Sequence, residues 1–126
     1  MKLRIKGDSL RLRLTKGEVS QLDERGVVED RVRFGAGAAL IYRLRRDLAA
    51  NDITASFAEG AVEVRLPDKS ARAWAGSNEV TLAGNQPLGA EDELRIIVEK
   101  DFACLAPREN EDESDNFEHP NVGKIC

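Results

Sequence analysis

The chain contains one structural unit twice, at a separation of 52 residues. The aligned pairs in the two copies are Ile5 with Phe57, Leu10 with Val62, Leu12 with Val64, Leu14 with Leu66, and Leu22 with Trp74. An internal repeat of this length is the mark of a fold built from two copies of one supersecondary unit. The chain must therefore fold as a pair of related halves.

The first copy begins with a predicted β-hairpin. Charged and apolar residues alternate over Lys2–Lys6 and again over Ser9–Leu14, on either side of a Gly7-Asp8 turn signal. Thr15 and Glu18 have the spacing of a helix capping box. We therefore expect a helix from this box to about residue 25, with Val19 and Leu22 facing the core and Gly26 ending it.

Two further strands complete the first copy. The segment 28–34 places Val28, Val32 and Phe34 on one side, and we expect these residues to point inward. After a Gly-rich loop, residues 40–46 alternate again. Residues 47–52 are the expected joint between the copies.

The second copy repeats this order. Residues 53–57 and 61–66 predict a hairpin, and Pro67 is well placed to begin a helix that Asp68 caps. Ala71 and Trp74 have helical spacing and should be buried. A short strand at 80–83, a loop at 85–90 and a last strand around Leu94, Ile96 and Val98 follow, the last matching the first copy at a shift of 54.

The pattern predicts an α+β fold: two ββαββ repeats, at about 1–47 and 53–101, within one domain covering 1–106. About eight mostly antiparallel strands and two helices result, because every connection except the helical ones is short. The strands would form either packed sheets or a barrel. Residues 107–126 form an acidic tail that we expect to lie on or near this domain.

Charge is divided unevenly along the 126 residues. Residues 1–90 carry a net charge of +3 and residues 91–126 a net charge of −7. Such a split is typical of a chain whose acidic segment covers a basic body or is itself a solvated interaction tail. No run approaches the roughly 18 apolar residues of a membrane span, and no apolar core follows the positive first residues, so a cytoplasmic protein is expected. In that compartment we expect Cys104 and Cys126 to be free thiols, and a disulfide between them or a shared metal ion is the alternative.

Basic residues on the polar sides of the expected strands are the strongest candidates for a binding site. Arg predominates among them, and its planar guanidinium suits bidentate binding of carboxylate or phosphate. The alternative interpretation is that these residues are an ordinary charged sheet face, neutralised by acids of the tail. The candidates are Lys2, Arg4, Lys6, Arg11, Arg13, Arg31, Arg33, Arg43 and Arg45.

Catalytic, metal and cofactor motifs are missing from the sequence. It has no Walker loop, no G-x-G-x-x-G, no G-x-S-x-G and no C-x-x-C. Cys104, His119 and Cys126 are the weak candidates for metal ligands, but their spacing matches no compact zinc motif. We expect no cofactor and leave open whether the protein is an enzyme.

Two stretches resemble a family of small uncharacterised bacterial proteins. They are Met1-Lys-Leu-Arg-Ile-Lys-Gly-Asp-Ser-Leu-Arg-Leu-Arg-Leu14 and Glu99-Lys-Asp-Phe-Ala-Cys-Leu105 with the acidic Glu111-Asp-Glu-Ser-Asp-Asn-Phe117. The resemblance implies no activity. A weaker similarity is to the triphosphate tunnel proteins, which have eight antiparallel strands and a basic channel. Their E-x-E-x-K motif is replaced here by Lys2-Leu-Arg-Ile-Lys6.

Two functions follow as hypotheses. The first is a non-enzymatic binding or accessory domain whose arginine-rich sheet face recognises an anionic partner, such as a protein or a small anion. The second is an enzyme or binder of small phosphate compounds with a tunnel-like basic sheet. Scarce aromatic residues and a pI near 5.1 argue against general nucleic-acid binding.

Overall fold

The structure, a computed structural model, describes residues 1–102. Over these residues the chain forms eight strands and two helices in the predicted order ββαββ-ββαββ. They are β1 (Lys2–Ile5), β2 (Ser9–Leu14), α1 (Lys16–Arg25), β3 (Val27–Gly35), β4 (Ala38–Asp47), β5 (Thr54–Ala58), β6 (Ala61–Pro67), α2 (Asp68–Ala75), β7 (Thr81–Gly89) and β8 (Asp92–Lys100). Neither helix has the length and apolar character that crossing a bilayer requires, as far as the described part of the chain extends.

The strands form two separate four-stranded sheets. The first sheet has the order β1-β2-β8-β7 and the second the order β3-β4-β6-β5. Their inner faces share one core, which contains Leu12 and Val98 of the first sheet and Leu44 and Val64 of the second. The predicted α+β class is therefore confirmed. Of the two arrangements that the sequence left open, packed sheets are right and a closed barrel is wrong.

Each sheet takes one hairpin from each copy of the repeat. The four hairpins are antiparallel, as expected, but they are joined by parallel pairing of β2 with β8 and of β4 with β6. These central parallel pairs were not predicted. They arise because α1 carries the chain from β2 in the first sheet to β3 in the second, so that β2 must find its inner partner in the other copy.

The strand register confirms the repeat. In the first sheet Leu10 lies opposite Ile96 and Leu12 opposite Val98; in the second Val62 lies opposite Tyr42 and Val64 opposite Leu44. These pairs are equivalent under the shifts of 52 and 54 residues. Exchanging the two copies thus exchanges the two sheets, which gives the molecule an internal pseudo-twofold symmetry.

The helices complete the core at equivalent positions. Leu22 on α1 and Trp74 on α2 both have side chains that are 0% exposed, as the repeat alignment predicts. The indole Nε1 of Trp74 also donates a hydrogen bond to the carbonyl oxygen of Val80 at 3.0 Å. Burial of a large aromatic ring with its polar atom satisfied is a strong stabilising arrangement.

The helix starts differ between the copies. In α1 the capping box is confirmed: the Glu18 backbone N–H donates to Thr15 Oγ1 at 3.3 Å, and the Thr15 N–H donates to Glu18 Oε1 at 3.0 Å. In α2 the predicted cap is wrong, because Pro67 occupies the N-cap and Asp68 makes no capping bond. The Asp68 carboxylate instead accepts hydrogen bonds from Arg46 at 2.8 Å and Arg72 at 3.0 Å. The Arg46 contact is the main cause that lowers the pKa of Asp68.

Two other expectations require correction. The short strand and loop predicted for 80–90 are one strand, β7, and its Pro87 is tolerated because β7 is an edge strand that needs fewer backbone donors. Val32 and Phe34 lie on the inner side of β3 but are not buried; Phe34 is 70% exposed. The β3–β4 hairpin extends beyond the core that covers Val28, so the inward side of its tip has nothing to pack against.

Candidate functional site

The nine predicted cations lie on the outer sides of the sheets, and the structure divides them between two faces. Alternation along each strand places them opposite the core residues. On the first sheet are Lys2, Arg4, Arg11 and Arg13, with Lys6 at the turn of the same hairpin; on the second are Arg31, Arg33, Arg43 and Arg45. Because the inner faces of the sheets pack together, these two outer faces point away from each other.

The β1–β2 cation cluster on the first sheet consists of Lys2, Arg4, Arg11 and Arg13. Lys2 lies directly opposite Arg13, and Arg4 directly opposite Arg11. Both are pairs of like charges on neighbouring strands, which repel each other. The outer sides of these two strands carry no carboxylate.

The acids of this cluster come from β8 and the residue that follows it. Glu99 Oε1 accepts from Arg13 Nε at 2.6 Å and lies 3.5 Å from Arg11 Nη1. Lys2 Nζ lies 3.1 Å from Asp101 Oδ2. Four cations and two carboxylates leave the described cluster with a net charge of +2. Arg95, which sequence reasoning missed, lies on the same face nearer the hairpin tip, as does Glu93.

The second face contains a matching cluster with a different balance. Glu63 accepts from three arginines: Arg65 Nε at 2.7 Å, Arg45 Nε at 3.1 Å and Arg43 Nη1 at 3.3 Å. Arg43 also contacts Glu29 at 2.7 Å, and Asp47 lies 3.7 Å from Arg65. Three arginines and three carboxylates make this described cluster neutral.

Electrostatic effects on the second face follow from these contacts. The hydrogen bond from Arg65, followed by those from Arg43 and Arg45, lowers the pKa of Glu63 although burial opposes ionisation. Hydrogen bonding to Glu29 and then to Glu63 raises the pKa of Arg43. The lowered pKa of Glu63 favours its ionised form near neutral pH, where three arginines share its charge. These contacts form an ion-pair network across β3, β4 and β6.

Arg31 and Arg33, the other two predicted cations of the second face, lie on the projecting part of β3. Both are exposed, and their strand partners Ile41 and Ala39 carry no charge. They stand apart from the neutral cluster.

The carboxylates Glu63 and Glu99 were missing from the predicted site. The signal that could have revealed them was the same strand alternation, because Glu63 precedes the buried Val64 and Glu99 follows the buried Val98. Arg65 and Arg95 occupy alternating positions in the same way. Because the predicted site contained cations only, it did not show that the two faces differ in their carboxylates.

Two clefts lie away from both clusters. One of about 530 Å³ is formed by the joint between the copies, the start of α2 and β7, and no Lys or Arg lines it. The other, of about 400 Å³, lies between α1, the end of α2 and the residues after β8, and contains Lys16, Lys100 and Phe102. Neither brings the predicted arginines together around an enclosed space.

The predicted weak metal ligands Cys104, His119 and Cys126 lie outside the described residues. Within residues 1–102, no three His, Cys, Asp or Glu side chains gather in a way that could hold a metal ion. The expectation of free thiols also concerns residues beyond this range.

The N-terminal ammonium group of Met1 is buried and forms ion pairs. This group binds the carboxylates of Glu18 and Asp30, and Tyr42 donates its hydroxyl to the Met1 carbonyl at 3.1 Å. Burial acts to raise the pKa of Glu18, but the ammonium group of Met1 and the hydrogen bond from the Thr15 backbone outweigh it, so the pKa of Glu18 is lowered. Burial together with Asp30 and Glu18 raises the pKa of Tyr42. The four groups tie β1 to the second sheet, and so they fix the edge of the β1–β2 cation cluster.

Comparison with known proteins places the chain without assigning an activity. The model of a family of unknown function, DUF7009, matches residues 1–121. Neither the curated proteins nor the solved structures include a match to this sequence. Since the family match covers both copies of the repeat and continues through the acidic segment, the chain belongs to the DUF7009 family, whose function is unknown.

Proposed function

We propose that this protein is a binding module whose β1–β2 cation cluster recognises an extended acidic segment of a protein. The observation that carries the proposal is the strand register, which places Lys2 opposite Arg13 and Arg4 opposite Arg11 and so gathers four cations on one face. A surface that holds cations side by side gains stability when carboxylates lie between them. The neutral cluster on the second face has no such requirement.

The spacing of the cluster favours an extended peptide. Cations on alternate residues of one strand are about 6.4–6.8 Å apart, and the two strands are about 4.8 Å apart. Carboxylates on alternate residues of an extended peptide have the same separation along the chain. A partner with acids at every second residue can therefore pair with Arg11 and Arg13 together without bending.

Nucleic acid suits the face less well. Single-stranded nucleic acids bind through aromatic side chains on which bases stack. The outer side of the first sheet, as far as the structure describes it, presents Ile97, Ala83 and polar residues between its charges, and no aromatic ring.

The alternative hypothesis, a small-phosphate enzyme or binder, loses its main structural support. It depends on a tunnel lined with Lys and Arg, whereas the sheets are open and their cations lie on opposite outer sides. A small phosphate could still bind the same cluster through Arg4 and Arg11, so it is retained as an outcome of the test.

The test compares two double variants that remove the same charge. Arg4→Gln with Arg11→Gln weakens the β1–β2 cation cluster but leaves the Arg13–Glu99 and Lys2–Asp101 pairs in place. Arg31→Gln with Arg33→Gln is the matched control on the second face. The probe is a fluorescein-labelled peptide of alternating Glu and Ser, measured by fluorescence anisotropy at about 20 mM and 150 mM salt.

The first variant should weaken peptide binding at least fivefold and the control less than twofold. Equal effects of both variants would mean that only overall charge matters, and would overturn the proposal. Inorganic triphosphate and ATP are measured in parallel. If triphosphate binds more tightly than the peptide and shows the same variant dependence, the face is a small-anion site instead.

A further inference from the structure

We infer that the acidic segment at residues 109–115 of this same chain lies extended across the β1–β2 cation cluster and competes with any external partner. The competition with an external partner rests on the proposed function, whereas the docking of the segment does not depend on that function. Three observations support the inference: the pattern of acids in the segment, its tether, and the extent of the family match.

Four of the five acids of the segment occupy alternate positions. Residues 109, 111, 113 and 115 are Glu, Glu, Glu and Asp, whereas 110, 112, 114 and 116 are Asn, Asp, Ser and Asn. An extended chain with this sequence presents one side that is uniformly anionic, with carboxylates about 6.4–6.8 Å apart. The cations of β1 and β2 have the same period of two residues, so the two rows match in spacing and are opposite in sign.

The segment is tethered next to its proposed site. The Asp101 backbone N–H donates to the Leu14 carbonyl oxygen at 2.8 Å, which places the chain beside the end of β2, and the Asp101 carboxylate contacts Lys2. The seven steps from Phe102 to Glu109 can span up to about 24 Å. The outer edge of the first sheet lies only two strands from β8, about 10 Å. A short linker that can span the distance between two sites gives an effective concentration in the millimolar range.

The family match supports a shared role for the segment. It continues to residue 121 and therefore includes the whole acidic run. An appendage unrelated to the fold would not need to belong to the family's common sequence. The segment is thus a candidate for an internal occupant of the face rather than a solvated end.

The direct test places a spin label in the segment of the full chain. Ser114→Cys, in a chain with Cys104→Ser and Cys126→Ser, carries the label next to the acidic residues. Backbone amide signals of β1 and β2 should broaden at about 20 mM salt and recover at 0.5 M salt, while those of β6 remain sharp. Broadening of neither sheet, or of both equally, would overturn the inference.

A matched pair of variants tests the alternation. Glu111→Gln with Glu113→Gln should abolish most of the broadening. Asp112→Asn with Glu118→Gln removes the same charge from residues outside the alternating set and should leave most of it. Equal loss in both variants would show that general charge attraction, rather than the matched period, holds the segment, and would overturn the proposed arrangement.

The peptide probe separates this inference from the proposed function. Removing the competing carboxylates with Glu111→Gln and Glu113→Gln should tighten binding of the Glu-Ser peptide at least fivefold, because an occupied site lowers the apparent affinity by the fraction that is free. Equal binding to the parent chain and this variant, without broadening, overturns the inference and leaves the function intact. Broadening in the parent chain, with no peptide binding to the variant, supports the internal contact and overturns the function.

Discussion

The two outer sheet faces are equivalent under the internal symmetry, yet they have different charge arrangements. On the second face Glu63 lies among three arginines, and on the first face the equivalent position is Arg11. Arg45 of the second face corresponds to Glu99 of the first. The acid and the base are thus exchanged between the two faces, and the central carboxylate lies on β6 in the second face and on β8 in the first. The faces also differ at their edges, because the β1 cations Lys2 and Arg4 have the uncharged equivalents Thr54 and Ser56. The comparison teaches that one backbone framework can hold either a neutral ion-pair network or a surface with excess positive charge.

The first prediction concerns the core on which both faces depend. Trp74→Ala should lower the free energy of unfolding by about 3–5 kcal/mol, and Leu22→Ala at the equivalent position by about 2–5 kcal/mol, because each leaves a cavity in the shared core. Urea unfolding measures both. Leu48→Ala, at a residue that is 87% exposed, is the control and should change stability by less than about 0.5 kcal/mol. A loss below about 1 kcal/mol for Trp74→Ala would mean that the two sheets do not share the core described.

The second prediction tests the neutral cluster. Glu63→Gln removes the carboxylate that three arginines share and should lower the free energy of unfolding by about 1.5–3 kcal/mol, the usual range for hydrogen bonds to charged groups. Glu79→Gln, the same change at an exposed site, should have an effect below about 0.5 kcal/mol. If both variants change the free energy of unfolding by less than about 0.5 kcal/mol, the Glu63 carboxylate does not stabilise the second face.

The acid dependence of stability follows from the same residue. The folded-state pKa of Glu63 is lowered from its ordinary value of 4.5, so the folded chain favours the ionised form. The resulting stabilisation is present above about pH 4.5 and is lost as the pH falls through the lower folded-state pKa. Between pH 6 and pH 3, the parent chain should therefore lose more stability than Glu63→Gln does. Parallel pH curves for the two proteins would contradict this assignment.

The third prediction, with the smallest effect on stability, makes the first face resemble the second. Arg11→Glu with Glu99→Arg introduces at the equivalent positions the acid that Glu63 provides and the base that Arg45 provides. The contacts of Glu99 with Arg13 and Arg11, at 2.6 and 3.5 Å, are given up, and the new carboxylate lies next to Arg4, Arg13 and the new arginine. The free energy of unfolding should change by less than about 1 kcal/mol, as is usual for partly exposed pairs. A loss above about 2 kcal/mol would show that the two faces are not interchangeable frameworks.

Local features of the fold could be predicted from the sequence because they depend on neighbouring residues. Strand alternation, the Thr15–Glu18 box and the repeat shift identified every hairpin and both helices, and the alignment of Leu22 with Trp74 identified two core residues. β7 was predicted too short because its polar residues and Pro87 resemble a loop. Only its position at a sheet edge makes these residues acceptable in a strand.

The pairing of hairpins between copies could not be predicted in this way. A period of two shows which side of a strand is buried but not which strand lies next to it. For the same reason, the sequence identified the nine cations without separating them into two faces. Their neutralisation on the second face depends on Glu29 and Glu63, which adjoin Arg43 only after β3, β4 and β6 are assembled.

The exchange of hairpins between sheets also determines how the chain can fold. The centre of the first sheet joins β2 to β8, so Leu14 pairs with Lys100 near the far end of the described chain. Contacts of such long sequence separation slow folding, because the intervening loop must close before they form. The first copy cannot complete a sheet as it leaves the ribosome. The native partner of the inner edge of β2 becomes available only when the second copy is synthesised.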